Sequence, residues 1–489
     1  MRSVKYLILA IVSVALFASC NKEADSASLT LERTSLYFDS WQSPMQSVKY
    51  QSTGAHRVAI SSYSAGWNAM VNEANGTISI WPVGANEEGM VEEELSKEGY
   101  VVVNALNADN QATSYSISVY IASTENLDGD GAQLANCYIV TKPATSYTFD
   151  VMHRPDGEAL ATNSVKLLWQ SNPGVVKSLN MVDGKAELYV SPHDDDVTRL
   201  EDTNAVIAAY DKSGNVIWSW HLWIVNNNPL AATSTYSNGK VFMQQNLGAF
   251  INSNGSTEEQ KILDSYGMYY QWGRKDPFQR PYYFDASGAD NESRYNESGS
   301  YIAEKYLERT SSNGTLAYIT KYPMEFITNA ACVEEGGDGI GDWLVSADNN
   351  LWKDTDKSVY DPCPYGWRVP SAADMAVLMA DPNEGADLDD TLRKQYGWHL
   401  SDGVSTHFWS ACGRRRYNDG KVENMNSKEG VYPSSPQPWE GYYWTSTADE
   451  SGKAVSLYFD LTTTRTINKF DNHHLARRAN GFQIRCVKE

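Results

Sequence analysis

Thiols, histidines and a run of arginines are the residues from which chemistry could be built in this chain. Thiol redox catalysis needs two cysteines held close together. The six here are Cys20, Cys137, Cys332, Cys363, Cys412 and Cys486, and no two are nearer in sequence than Cys332 and Cys363. A serine nucleophile would sit on a Gly-x-Ser-x-Gly elbow, and a phosphate-binding loop would read Gly-x4-Gly-Lys. Neither pattern occurs. None of the eight histidines has His-Glu-x-x-His spacing, and the side chains of His473 and His474 would diverge on a strand. The segment Gly336-Gly337-Asp338-Gly339-Ile340-Gly341 lacks the apolar strand that precedes a nucleotide loop. Glu125 to Gly131 carries alternating oxygens without the spacing or bidentate glutamate of a calcium loop, and reads as a turn. With 61 acidic residues, carboxylate pairs suited to glycoside hydrolysis arise by chance. The sequence therefore predicts no enzyme, no metal site and no cofactor.

Binding chemistry has a better foothold. The stretch from Trp409 to Trp444 contains Arg414-Arg415-Arg416-Tyr417 in an otherwise acidic chain, then Tyr432-Pro433-Ser434-Ser435-Pro436-Gln437-Pro438-Trp439 and Tyr442. Guanidinium forks and aromatic faces suit sugar rings, anionic glycans or protein loops. Arg414, Arg415, Arg416, Tyr417, Trp439 and Tyr442 are the candidate ligand-binding residues. The competing assignment pairs the arginines with local carboxylates and uses Trp439 to cover the core. A second aromatic group, Trp218, Trp220 and Leu222, shares one face of a strand with Trp223 opposite. Core and interface packing explains it better than a sugar platform.

These residues must be carried by a large extracytoplasmic scaffold. The chain has 489 residues, room for about three domains. Its net charge of −21 argues against nucleic-acid partners, since phosphate binding needs a basic surface. Hydrophobic residues at 42% and 15 tryptophans exclude a disordered acidic chain. Arg2 and Lys5 precede an apolar run from Tyr6 to Ala18, too short to span a bilayer and fitting a signal sequence. The run ends in Phe17-Ala18-Ser19-Cys20, which resembles the lipobox of bacterial lipoproteins. That resemblance implies cleavage of residues 1–19, lipidation of Cys20 and anchoring in a membrane. Loss of Arg2 and Lys5 shifts the charge to 38 − 61 = −23. The tether 20–28 lacks Asp at position 21, and its Lys22-Glu23-Ala24-Asp25 cluster resembles the export signal of Bacteroidota surface lipoproteins. The implied location is the outer membrane, exposed at the cell surface.

The body predicts a multi-domain, mainly β architecture of two β-sandwich modules followed by an α+β domain. Residues 29–122 form the first sandwich. In Ser114 to Ile121, Tyr115, Ile117, Val119 and Ile121 fall on one face, and Asn75-Gly76 marks a turn. This module resembles the immunoglobulin-like, BACON-type modules of Bacteroidota lipoproteins. The second sandwich spans 134–227, with turns at Asp183-Gly184 and Asp211 to Asn215.

The C-terminal domain, 238–489, holds eight of the 15 tryptophans and a series of motifs. They are Phe242 to Ala249, Gly267-Met268-Tyr269-Tyr270-Gln271-Trp272-Gly273-Arg274-Lys275-Asp276-Pro277-Phe278, Tyr360 to Ser371, Gly441 to Thr447 and Arg478 to Val487. In that order they resemble the Fibrobacter succinogenes major paralogous domain, over about half the chain. The family implies a C-type-lectin-like fold, related to formylglycine-generating enzymes. On such a scaffold Ser371-Ala372-Ala373-Asp374 is a capping box, and Met375, Leu378 and Met379 form the buried stripe of the helix it starts. The resemblance also implies a long-range disulfide between Cys363 and Cys486. With Cys20 lipidated an odd number remains: Cys332 and Cys412 are candidates for a second pair, and Cys137 for a buried thiol. Of the enzyme motif Arg-Leu-Pro-Thr-Glu-Ala-Glu-Trp-Glu, residues Arg368, Pro370, Ala373 and the acid at Asp374 survive, while Met375 and Ala376 replace the last Trp and Glu. Asp381-Pro382-Asn383 and Tyr417-Asn418-Asp419 only loosely resemble the calcium-binding pairs of sugar lectins. The implied function is a lipid-anchored surface binding or adhesion protein, recognising an extracellular glycan or a surface protein. The alternative is an accessory or tip-type subunit of a fimbria or a glycan-utilisation complex, with an enzyme on the same fold third.

Overall fold

The computed structural model describes residues 26–84, 91–281, 293–332, 341–380, 396–423, 440–449, 451–460 and 470–489. Cys20, Trp439 and Asp381-Pro382-Asn383 lie outside them, as do Gly336 to Ile340 and Tyr432 to Pro438. The chain is mainly β and divides into two compact units, residues 1–125 and 126–489. No described helix is long and apolar enough to cross a membrane.

The first unit contains a sandwich of two four-stranded sheets. One runs Ser28–Leu31, Gln46–Thr53, Thr77–Pro82, Trp67–Asn72; the other runs Ser35–Phe38, Ala112–Ile121, Glu98–Leu106, Arg57–Tyr63. The period-2 pattern of residues 115–121 works as predicted: Ile117, Val119 and Ile121 are buried beside Val48, Trp67 and Ile78. The Asn75-Gly76 signal does mark a turn, but only Gly76 takes a positive φ (61°). The strands are joined by four residues there, from Asn72 to Thr77, instead of two.

The second unit begins with another sandwich. Its first sheet is Cys137–Val140, Val216–Ile224, Thr203–Tyr210, Ser164–Gln170, and its second contains Val176–Val182, Lys185–Val190 and Thr145–Asp150. Asp183 and Gly184 both adopt positive φ (49° and 77°) and close a two-residue hairpin, as their types predict. At the Asp211 turn the carboxylate accepts the Ser213 and Asn215 amides at 2.8 and 2.9 Å. Trp218, Trp220 and Leu222 pack between the sheets with Phe149 and Leu188. Trp223, Trp169 and Val206 face the other way, into a core shared with Met243, Trp272, Trp343 and Trp444.

That shared core corrects the expected boundary between 227 and 238. The second sandwich and the C-terminal region are one unit, because one sheet of the sandwich is buried on both faces. Polar ties cross the same seam. Trp223 donates to the Ala249 carbonyl at 2.8 Å, Asn204 to Gly248 at 2.9 Å, and Asn136 to Val359 and Asp361, both at 2.8 Å.

In the C-terminal region the motifs prove to be fasteners. Cys363 and Cys486 are disulfide-bonded across 123 residues. The strand Val487–Lys488 lies between Val241–Met243 and Trp367–Arg368. Ser371 and Asp374 form the capping box, and Arg368 pairs with Asp374 at 2.8 Å. The helix covers only Ala372–Met375; Met375 and Leu378 are buried, but Met379 is more than half exposed on a strand, contrary to the predicted stripe. Arg274 is fully buried, donating to Gln271 Oε1 and to the Glu325 and Pro323 carbonyls at 2.9–3.1 Å, with its guanidinium 4.8 Å from the Phe278 ring centre. Asn246, Gln483 and Arg485 bond in a buried chain, at 2.7 and 3.0 Å, that ties the first and last motif segments together. Cys137, Cys332 and Cys412 are buried free thiols, so the candidate Cys332–Cys412 pair is not formed.

Candidate functional site

The arginine run does not form the predicted binding surface. Arg415 is completely buried: it donates to Glu304 at 2.7 Å, to the Tyr306 hydroxyl at 3.0 Å and to the Gln279 and Gly420 carbonyls. A guanidinium withdrawn from water needs every one of those acceptors, which makes Arg415 a strut. Arg414 pairs with Glu423 at 2.6 Å, its guanidinium carbon 5.0 Å from the Tyr442 ring centre. Tyr442 is itself buried and donates to Glu440 at 2.6 Å. Arg416 pairs with Asp419 and, at 3.4 Å, with Glu423; Arg477 stacks on Tyr417 at 4.5 Å. The structure thus brings Arg414 and Tyr442 together, with Arg414 Nε and Nη2 engaged by Glu423 and the Tyr442 hydroxyl by Glu440. Arg414 and Arg416 pair with carboxylates nearby in sequence, as in the competing assignment, whereas the partner of Arg415, Glu304, is 111 positions away, and Trp439 lies outside the described residues.

A different concavity lies within the second unit. It is a cleft of about 420 Å³ where the sandwich meets the C-terminal region. From the sandwich come Asn172, the hairpin residues His193 and Leu200, and Glu201 and Asp202 at the entry to strand Thr203–Tyr210. From the C-terminal region come Phe250, Gln260 and Asp264 at the two ends of a short helix, Arg280 and Tyr295.

Several of the polar groups are held in place by contacts within the protein. Asp202 Oδ1 accepts both the backbone and side-chain amides of Asn226 at 2.8 Å, and its carbonyl accepts Asn172 at 2.7 Å. Burial raises the Asp202 pKa, those hydrogen bonds oppose the rise, and the nearby Asp264 charge adds to it. Asp264 accepts Gln260 at 2.9 Å and faces Arg280 at 3.6 Å. Arg280 donates to the Leu263 carbonyl at 2.8 Å, with its guanidinium 3.8 Å from the Phe250 ring centre. His193 Nδ1 accepts the Asp195 amide at 3.1 Å, which leaves the proton on Nε2 to face Glu201 at 3.0 Å. The cleft thus presents carboxylate acceptors (Glu201, Asp202, Asp264) and guanidinium and imidazole donors (Arg199, Arg280, His193) beside the Phe250 ring. That arrangement is complementary to a neutral polyol, which presents hydroxyls able to give and take hydrogen bonds.

No sequence signal singled out these residues. They come from five separated stretches, and an isolated Asp or Gln in an acidic chain looks like solvated surface. Among the described residues no group of three His, Cys, Asp or Glu side chains is placed to hold a metal ion.

No protein-family model matches the chain, and no curated protein matches it. Similar solved structures are distant. The chimeric titin Z1Z2 carrying a decorin peptide is 10% identical, covers 42% of this chain and 97% of its own, and superposes with a TM-score of 0.14. An endo-fucoidan hydrolase of glycoside hydrolase family 107 is 10% identical over 42% of this chain and 29% of its own, with a TM-score of 0.16. The Bacteroides ovatus mixed-linkage glucan utilization locus SGBP-B, solved with a heptasaccharide, is 11% identical over 40% of this chain and 43% of its own, with a TM-score of 0.11. TM-scores this low define no shared fold.

Proposed function

We propose that this chain is a lipid-anchored surface protein that binds an extracellular glycan through its large second unit. The observation that carries the reading is the cleft. Asp202 and Arg280 are held by hydrogen bonds made inside the protein, so these two side chains lose little entropy on binding. The motif resemblance to the Fibrobacter succinogenes major paralogous domain, with the lectin-like fold it implies, supports a recognition role, and the lipobox at Cys20 supports outer-membrane anchoring. In the fimbrial alternative a terminal strand would be donated to a neighbour. The strand at Val487 is paired on both sides, which counts against donation from that end.

A glycan array probed with the chain from residue 21 onward tests the reading. Binding to one class of neutral oligosaccharide is expected, weakened about tenfold or more by Asp202→Asn with Asp264→Asn. Capture of a protein partner with no binding to any glycan would overturn it. Metabolic palmitate labelling that persists in Cys20→Ser would overturn the anchoring.

A further inference from the structure

The wall of the cleft has a second side. Ser293 and Tyr295 line the polar cleft, while Arg294 between them lines another of about 450 Å³. This second groove differs in chemistry. Leu168, Tyr210, Ile302, Tyr322, Pro323 and Met324 give it apolar walls. Its charged members are mostly cations: Lys305, Lys321 and Arg294, with Glu325 the one carboxylate among the lining residues. Such a cluster is conspicuous in a chain of net charge −21.

The cations keep unused hydrogen-bonding capacity, although the Glu304 charge acts on Arg294 and the Asp211 charge on Lys321. Lys321 has no carboxylate within salt-bridge distance among the described residues; it stacks on Tyr322, 5.5 Å from the ring centre. Lys305 has a mostly exposed side chain and reaches Glu325 only at 3.4 Å, while Glu325 also accepts the Tyr318 hydroxyl at 2.7 Å. Arg294, 2% exposed, donates through Nε and Nη2 to the Ile302 and Ala303 carbonyls, and its Nη1 makes no hydrogen bond among the described residues. On strand Ser164–Gln170, Lys166 stacks on Tyr210 at 5.1 Å without a carboxylate partner among the described residues.

We propose that this groove binds a carboxylate-bearing oligosaccharide, a uronate-type glycan. Pyranose C–H faces lie against Tyr210 and Tyr322, and the carboxylates pair with Lys305, Lys321 and the open edge of Arg294. The charge complementarity selects an acidic ligand. Strand Ser164–Gln170 is the edge of its sheet and only its last residue is bridged, Gln170 exchanging amide–carbonyl bonds with Tyr295 at 2.8 and 2.9 Å, so an acidic peptide is the competing occupant that the test separates. The inference concerns a different site from the polar cleft and stands whether or not that cleft binds a neutral glycan.

Calorimetry on the full chain in detergent, titrated with trigalacturonate and with neutral galactotriose, tests it. Trigalacturonate is expected to bind and galactotriose to bind at least about tenfold more weakly, with the preference shrinking as salt rises. Lys305→Gln with Lys321→Gln should remove the preference, Lys305→Arg with Lys321→Arg should retain it, and Tyr322→Ala should weaken both ligands. Asp202→Asn with Asp264→Asn should leave trigalacturonate binding unchanged, so failure of the polar-cleft reading is separable. No trigalacturonate binding, equal affinity for the two sugars in the Asp202→Asn, Asp264→Asn background, or binding indifferent to the lysine substitutions would each overturn the proposal. So would tighter, lysine-dependent binding of an oligoglutamate peptide.

Discussion

The two sandwiches of this chain use nearly the same architecture for different ends. In the first, strand Gln46–Thr53 buries only Val48 fully, and its other side chains are exposed or half-exposed. Its core is assembled wholly from residues 27–121. In the second, strands Thr203–Tyr210 and Val216–Ile224 are buried almost without interruption on both faces. The first sequence alternates because one side of each sheet meets water. The second cannot, and it runs Ala205-Val206-Ile207-Ala208-Ala209 and Trp218-Ser219-Trp220-His221-Leu222-Trp223. A sheet buried on both faces is an internal layer, so the second sandwich is part of the platform that forms both clefts instead of a spacer.

The largest effect should come from cutting the chain at its two apparent joints. A fragment of residues 26–125 should unfold cooperatively on heating. A fragment of residues 126–230 should fail to, because Trp169, Val206 and Trp223 lose the partners that cover them. Exposing one large buried side chain costs about 3 kcal/mol, and three together exceed much of the stability of a small domain. Circular dichroism and dispersed amide resonances distinguish the outcomes; a well-folded 126–230 fragment would remove the contrast between the sandwiches.

The same contrast explains how much could be read in advance. Local signals were legible: the alternation in Ser114 to Ile121, the Asp183-Gly184 hairpin, the aromatic ladder and the capping box all depend on residues within a few positions. The Cys363–Cys486 bridge became legible only through the motif resemblance, since spacing alone fixes no connectivity. Long-range pairing stayed hidden. Glu304, which neutralises Arg415, lies 111 positions away, so a basic run looked like a surface. Two-sided burial of a sheet erased the joint near residue 230, where turn residues suggested a boundary. The clefts were invisible because their walls are drawn from distant segments, each polar residue unremarkable by itself.

A smaller difference between the units should appear on acidification. His221 lies in the doubly buried sheet, its Nε2 donating to Asn204 at 2.9 Å and its Nδ1 facing the Tyr270 hydroxyl at 3.4 Å. Burial pulls its pKa down to about 3, so it stays neutral in the folded protein. The unfolded chain takes up that proton near pH 6.5. The contribution is therefore complete above about 6.5 and is lost as pH falls toward about 3. Asp342, raised to about 6 by burial, works in the opposite sense, favouring the folded form as pH falls from about 6 toward 4. Comparing wild type with His221→Gln isolates the histidine: their stability difference should change by a few kcal/mol, in order of magnitude, between pH 7 and pH 4. The first unit contains only His56, which is exposed, and its transition should not respond to that substitution. Identical pH profiles for wild type and His221→Gln would show that the doubly buried sheet places no such demand.

The smallest effect separates surface from strut within the arginine run. The Arg416 side chain is 34% exposed and pairs with Asp419, itself 33% exposed, across one turn of chain. Water and salt screen such a pair, and holding two long side chains in register costs entropy. Arg416→Ala should therefore shift stability by less than about 1 kcal/mol, measured by denaturant unfolding. It should also leave binding of neutral and acidic oligosaccharides unchanged, because neither cleft is lined by Arg416. A loss of glycan binding in Arg416→Ala with stability intact would restore the arginine run as a recognition surface and displace the clefts as the ligand sites.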